Sequence, residues 1–352
     1  MSPLRLLDEP SDGKDVESTM IHIGVIGYGY WGPNIVRNFR GVEGCKVTAV
    51  CDRSPAALKR ARQTYPDLRV SESAAELLTS TRIDAVAIVT PVHTHFELAK
   101  AALENGKHVF IEKPFTSTAQ QAEELIELAA RKRLKIMVDH TFLFTGAVRK
   151  IRELIEEGVL GDLYYYDSTR VNLGLFQHDV SVVWDLAPHD LSIVDFLIRQ
   201  KPEAVIATGE AHLNGLVDVA FITIYYPGNT IAHLNVNWLS PVKVRTTLIG
   251  GEKKMLVWND LEADEKIKVY DRGVQITNGE GLYELLVSYR SGDMWAPRVE
   301  QAEALNVELR YFIDCVTKDE TPFNDGEAGA RVVRILEAAE QSLRERARAV
   351  EL

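Results

Sequence analysis

The sequence predicts an α/β Rossmann domain followed by an α+β domain with an open, mostly antiparallel sheet. Three observations carry this. The glycines Gly27-x-Gly29-x-x-Gly32 sit between an apolar run, Ile21–Ile26, and a segment with Ile35, Val36 and Phe39 at helical spacing. Strand-like and helix-like runs then alternate as far as His140. Beyond His140, β-rich runs with period-two alternation take over, joined by short turns such as Pro227-Gly228-Asn229. The first rhythm builds a doubly wound parallel sheet with its ligand at the carboxyl ends of the strands. The second implies antiparallel pairing.

The glycine stretch assigns each residue a task. Gly27 permits the tight turn out of the strand, Gly29 lets a pyrophosphate approach the backbone, and Gly32 lets helix and strand pack closely. The helix N-terminus, with Tyr30 and Trp31 in the turn before it, then faces the phosphates. A second apolar strand, Lys46–Cys51, ends at Asp52, 20 residues beyond Gly32. An acid there bonds the ribose hydroxyls of a dinucleotide. Asp52 favours NAD, whereas Arg53 beside it leaves NADP open.

The elements follow in order. Ser54 caps a helix to about Tyr65, with Pro55 at its first position. A short strand lies near Leu68–Val70, then a helix at Ala74–Leu78. Ala85–Val89 is a buried strand running into Thr90-Pro91. A helix from about Thr94 stops at Asn105-Gly106. His108–Ile111 is a strand ending in Glu112-Lys113-Pro114. Thr118 to about Arg131 is helical, and Lys135–Val138 is the sixth strand. Next come a helix over Ala147–Gly158 and strands at 163–171, 204–211, 217–226, 231–239, 244–249, 254–258 and 267–270. A helix at 186–199 interrupts them, and helices near 301–317 and 326–346 close the chain. The expected organisation is a disordered extension at 1–20, a dinucleotide-binding domain at 21–141 and a substrate and oligomerisation domain at 142–352. An open sheet face suggests a homodimer or homotetramer.

Composition narrows the class. The 352 residues are 46% hydrophobic and 26% charged, as in globular proteins. No apolar run approaches the ~20 residues of a membrane span. The acidic start, with Asp8, Glu9, Asp12, Asp15 and Glu17, is no signal peptide, and three scattered cysteines suit a reducing compartment. The expected location is therefore cytoplasmic. A net charge of −11 argues against a nucleic-acid partner and means that an anionic substrate needs a local basic pocket.

Three constellations bear chemistry. Lys113, at a strand end in the expected crevice, can bond the reacting oxygen of an alcohol or ketone; the plain alternative is a solvated lysine. Asp185 and His189 stand four apart on a helix starting at Leu186, with Asp185 as N-cap and Pro188 in the first turn. A histidine flanked by acids can accept a proton near neutral pH; the plain alternative makes Asp185 a cap and His189 a surface residue. The run Thr90-Pro91-Val92-His93-Thr94-His95 makes a poor metal site and reads as helix-start residues against the cofactor, so no metal is expected. Trp238, Trp258 and Trp295 read as core or interface anchors. Arg170, Asn172, His178, Phe144 and Trp184 are candidates for substrate contact.

Together, Gly27-x-Gly29-x-x-Gly32, Thr90-Pro91 with His95, Gly106–Val109 leading into Glu112-Lys113-Pro114, and Asp185-x-x-x-His189 resemble the glucose–fructose oxidoreductase / inositol dehydrogenase / rhizopine-catabolism family (Gfo/Idh/MocA). The ending Tyr311–Val316, Thr321-Pro322 and Gly326 is similar too. The resemblance covers about Ile21 to Leu343 and implies an NAD(P)-dependent oxidoreductase acting on a carbinol or ketone of a sugar or cyclitol. It implies that Lys113 orients the substrate oxygen, Asp185 assists binding and His189 is the acid/base, with Glu112 and Lys113 by the cofactor. Gly29–Asn34, His140-Thr141-Phe142 and Trp184–Asp190 resemble members acting on nucleotide-linked hexoses, of 3-dehydrogenase or 3-ketoreductase type, which brings His140 into the substrate set. A dehydrogenase of free inositol or monosaccharide, a non-redox member and an NAD-sensing protein are the alternatives. The stretch before Ile21 departs from the family pattern.

Overall fold

The computed structural model describes residues 20–174, 177, 179–277 and 286–352. The expected extension before Met20 and the candidate His178 lie outside the described residues.

The first half is β1 (Ile21–Ile26), α1 (Gly32–Phe39), β2 (Cys45–Cys51), α2 (Pro55–Thr64), β3 (Arg69–Ser71), α3 (Ala74–Leu78), β4 (Ala85–Ile88), α4 (His95–Glu104), β5 (His108–Glu112), α5 (Ala119–Lys132) and β6 (Ile136–Asp139). All six strands are parallel, in the order β3-β2-β1-β4-β5-β6. The order reverses between β1 and β4, which opens a crevice at their carboxyl ends. Strands buried on both faces need continuous apolar runs, and β4 (Ala-Val-Ala-Ile) is buried throughout. The Ser54 hydroxyl accepts the Ala57 N–H at 3.3 Å, the cap expected of it.

The second half is α6 (Gly146–Glu156), β7 (Leu163–Leu173), α7 (Val182–Leu197), β8 (Ala204–Glu210), β9 (Val219–Tyr225), β10 (Ile231–Asn237), β11 (Leu239–Gly251), β12 (Met255–Asn259), β13 (Ile267–Thr277), β14 (Leu286–Trp295), α8 (Ala304–Thr317), α9 (Gly326–Arg344) and β15 (Val350–Glu351). Nine strands form one sheet, ordered β14-β13-β12-β11-β7-β10-β9-β8-β15. Each neighbouring pair is antiparallel except β7–β10, which is parallel. Two strands, β14 and β15, are additions to the sequence reading. One face of the sheet packs on α7 and α9. The opposite face exposes Phe221, Tyr225 and Leu248. Trp238 and Trp258 are core residues, whereas Trp295 is exposed.

The closing helices return to the parallel sheet. Phe312 of α8 packs edge-on against Phe39 of α1 and Phe110 of β5, with centroids 6.3 and 5.7 Å apart. The Val138 N–H donates to the Asn324 carbonyl at 2.9 Å. These contacts hold the closing segment on the parallel sheet, and the carboxyl end of β5 meets α7 through Lys113 and Asp185, where the candidate site forms. Among the described residues no helix is long and apolar enough to cross a membrane.

Helix α7 corrects one expectation. It begins at Val182 with Ser181 at the cap position, so Asp185 is not the N-cap but a first-turn residue. Pro188 lies inside the helix rather than in its first turn. Two consecutive valines are weak helix formers, which hid the true start. Burial of Val182, Val183 and Trp184 outweighs that preference.

Candidate active site

The glycine turn has the geometry its tasks require. Gly27 adopts φ 103°, and a Cβ there would stand 2.2 Å from the Val89 carbonyl oxygen. A Cβ on Gly32 would stand 2.4 Å from the Gly27 carbonyl oxygen. At Gly29 a Cβ would meet no protein atom within 4 Å, so the backbone is open to a ligand on that side. Helix α1 has no side-chain cap at its start. Asp52 is held at the mouth of this turn. Its two oxygens accept the Tyr28 N–H at 2.6 Å and the Ser54 N–H at 2.8 Å. Each oxygen keeps acceptor capacity for a ribose hydroxyl. Tyr30 is 84% exposed at the rim, Trp31 is partly buried, and Arg53 is exposed beside Asp52. The residues present therefore fit a dinucleotide.

His95 is differently placed from a cofactor contact. It is fully buried, with Nδ1 2.9 Å from the Pro114 carbonyl and Nε2 2.7 Å from the Thr90 carbonyl. Both ring nitrogens face the protein. The ring thus ties the loop after β4 to the loop after β5, and burial lowers its pKa. The Thr90 hydroxyl bonds that of Thr94 at 2.7 Å, and the Pro91 carbonyl accepts the Thr94 hydroxyl at 2.8 Å, which closes the turn into α4.

Lys113 leaves β5 at the crevice and crosses to α7. Its Nζ donates to the Asp185 carbonyl at 2.7 Å and lies 3.3 Å from Asp185 Oδ1. The Lys113–Pro114 peptide is cis. The Trp238 indole N–H donates to Asp185 Oδ2 at 3.3 Å. Asp185 is therefore anchored from both sides, and His189 follows it one turn later. Phe142 meets the His189 ring edge-on, with centroids 5.0 Å apart.

His189 is not a free surface residue. It is partly buried, and its Nδ1 is buried without a hydrogen-bond partner. Nor do flanking acids poise it near neutrality. Burial first, then the charges of Lys113, Arg170 and Arg245 push its pKa well below the usual range. His140 is buried too, and neither ring nitrogen has a partner. Burial, Lys113 and Arg331 push its pKa down to about 3. Both imidazoles are neutral around pH 7.

The remaining candidates divide. Arg170 is buried in a two-point ion pair with Asp190, at 2.5 and 3.2 Å. Asn172 is partly buried further along β7. Trp184 turns toward α9 instead, its indole N–H donating to Glu340 at 3.3 Å. Glu112 joins a cluster of carboxyl groups under the crevice. It stands opposite Asp139 across β5–β6. Asp139 accepts from the Thr141 hydroxyl, and Glu308 of α8 accepts from Asn324 at 3.2 Å. Burial and Asp139 raise the pKa of both Glu112 and Glu308 well above the carboxylate range. Among the described residues no group of three or more His, Cys, Asp or Glu is arranged to hold a metal ion.

Asp139, Glu308 and Arg245 were not among the residues expected at the site, and Trp238 was expected as a core or interface anchor, not as a partner of Asp185. Each is brought in by pairing across distant elements, which no local motif signals.

Residues 21–140 match the oxidoreductase family with an NAD-binding Rossmann fold, and residues 148–257 match the GFO/IDH/MocA C-terminal domain. The chain belongs to the GFO/IDH/MocA oxidoreductase family. As a GFO/IDH/MocA member it is an NAD-binding oxidoreductase. It is similar to a UDP-N-acetylglucosamine 3-dehydrogenase from Acidithiobacillus ferrooxidans, 27% identical over 325 residues, covering 89% of this chain and 95% of that one. It is also similar to a scyllo-inositol 2-dehydrogenase (NAD(+)) from Bacillus subtilis, 26% identical over 324 residues, 87% of this chain and 88% of that one. Among solved GFO/IDH/MocA-like folds, an oxidoreductase from Agrobacterium radiobacter in complex with NAD+, L-tartaric acid and magnesium superposes with a TM-score of 0.78 at 17% identity, covering 94% and 98% of the two chains.

Proposed function

We propose that this enzyme transfers a hydride between NAD and a carbinol or ketone of a sugar, with a nucleotide-linked hexose as the substrate class and position 3 as the site of reaction. The observation that carries the reading is the meeting of Lys113, from the end of β5, with Asp185 of α7, one turn before His189. Two groups of complementary chemistry, an ammonium donor and a neutral imidazole, border one crevice beside the glycine turn.

The bound nicotinamide supplies hydride acceptance or donation. The protein's own groups handle the oxygen and its proton. Lys113 donates a hydrogen bond to the substrate oxygen and offsets charge building on it. His189, neutral at pH 7, accepts the hydroxyl proton during oxidation and returns it during ketone reduction. Its low basicity keeps the ring unprotonated at pH 7, so it stands ready to accept the hydroxyl proton in the oxidative direction. Asp185, held by Trp238, fixes the ammonium. The 3-position and the nucleotide rest on the similarity to the A. ferrooxidans enzyme. The exposed sheet face with Phe221, Tyr225 and Leu248 supports a homo-oligomer.

The test is a panel of nucleotide-linked hexoses, free hexoses and inositols with NAD+ or NADP+, followed at the nicotinamide absorbance. Turnover of nucleotide sugars with NAD+ is expected. A preference for free inositol would overturn the substrate class, and no absorbance change on any of them would overturn the redox reading.

A further inference from the structure

On the helix-covered face of the second sheet, Arg170 of β7 and Arg245 of β11 are direct cross-strand partners. Like charges so placed repel each other and lower stability unless something offsets them. Asp190 satisfies Arg170 through Nε and Nη2 only. Arg170 is 5% exposed, yet its Nη1 is buried with no hydrogen-bond partner. Arg245 lies 3.4 Å from Asp260, and Asp260 is shared with Lys266 at 4.0 Å. The cluster therefore carries an uncompensated positive charge in a protein of net charge −11.

This charge faces the reaction centre. The guanidinium carbons of Arg170 and Arg245 lie 4.4 and 5.5 Å from the centroid of the same Phe142 ring. That ring touches His189. Both arginines also act on His189 electrostatically. A buried guanidinium with a spare donor, beside a second and partly exposed one, has the donor geometry that binds a carboxylate or phosphate.

We infer that Arg170 and Arg245 form an oxyanion subsite next to the catalytic crevice, so that the substrate carries an anionic group on or directly attached to the reacting sugar. This rests on the sugar-substrate reading above and narrows it. Two sources have this chemistry: a ring carboxylate, as in a hexuronate, and the phosphate ester at the anomeric carbon. Phe142 forms the wall between the subsite and His189.

The experiment measures binding rather than turnover, so it stands apart from the redox reading. Full-length protein saturated with NADH is titrated calorimetrically with a nucleotide-linked hexuronate, the corresponding nucleotide hexose with an uncharged sugar ring and a hexose 1-phosphate. Arg245→Gln is expected to weaken the anionic ligand at least ~30-fold, about 2 kcal/mol, and Arg245→Lys to recover most of it. Loss confined to the hexuronate identifies the carboxylate. Equal loss on all three identifies the phosphate. Because Arg245→Gln could fail to fold, native protein is titrated in parallel at rising ionic strength, where the dissociation constant for the anionic ligand should climb. Binding unchanged in Arg245→Gln, or insensitive to salt in native protein, overturns the subsite. Absent turnover with intact Arg245-dependent binding would instead count against the redox reading alone.

Discussion

Lys113 and Asp185 join the parallel sheet to helix α7: the Lys113 ammonium reaches across and binds both the carbonyl and the carboxylate of Asp185, at 2.7 and 3.3 Å. Pro188, three residues on, has no N–H, which takes the intrahelical donor from the Trp184 carbonyl; Lys113 adds its donor one residue on, at the Asp185 carbonyl. The same residue that fixes Lys113 sits a turn from His189, so the positions of donor and imidazole are set together.

The low basicity of His189 gives a pH signature. The ring must be neutral to take a proton, and burial with three nearby cations disfavours its charged form. The acid limb of kcat/KM for oxidation should therefore fall well below pH 6.5, with flat activity from pH 7.5 to 6. His189→Ala should lower kcat by about 100-fold or more. An acid limb centred near 6.5 in the native enzyme would contradict the assigned environment.

Gly32 tests the cofactor turn. Because a Cβ there would stand 2.4 Å from the Gly27 carbonyl oxygen, Gly32→Ala must displace α1 from β1. NAD binding should weaken by at least ~10-fold, read by calorimetry. Gly106→Ala is the control, since Gly106 has positive φ but no atom near its Cβ. It should cost stability of about 1 kcal/mol and leave NAD affinity intact.

The Arg170–Asp190 pair is buried, so removing one partner strands a charge. Asp190→Ala should destabilise by about 3–5 kcal/mol in chemical denaturation. A loss below 1 kcal/mol would mean that the pair is hydrated in solution.

Glu308 makes stability fall as pH rises above the ordinary carboxyl range. Its folded pKa is raised, so its contribution is complete below the unfolded carboxyl value and is lost as pH rises through the folded one. Glu308→Gln keeps an acceptor for Asn324 and removes the titration. The variant should gain stability relative to native protein as pH rises from the ordinary carboxyl range toward the raised folded value, by up to about 1.4 kcal/mol per pH unit. A parallel pH dependence in both proteins would contradict the buried environment.

What the sequence made legible was local. The glycine turn, Asp52 at a strand end and Lys113 before Pro114 each depend on a few adjacent residues, and backbone geometry fixes what those residues face. The Asp185–His189 spacing was readable as well, although the start of α7 was not, because burial of Val182 and Val183 overrides their poor helix preference. The acids flanking His189 suggested a neutral-range base, whereas the folded chain surrounds it with Lys113, Arg170 and Arg245. Arg245 could not have been found this way. Its role depends on the β7–β11 register, which skips between Leu239 and Val244 before placing Arg245 opposite Arg170. The parallel β7–β10 pair and the return of α8 to the first sheet are likewise long-range outcomes.

Lys113, on the proposed reading, steadies the reacting oxygen and is not required for cofactor affinity. The most direct measurement is a single-turnover reaction of NAD+-saturated Lys113→Ala with the substrate found by the panel, alongside the NAD+ dissociation constant of the same variant. A hydride-transfer rate at least ~100-fold below native, with NAD+ affinity within about twofold, is expected. A near-native rate, or a rate loss matched by an equal loss of NAD+ affinity, would contradict it.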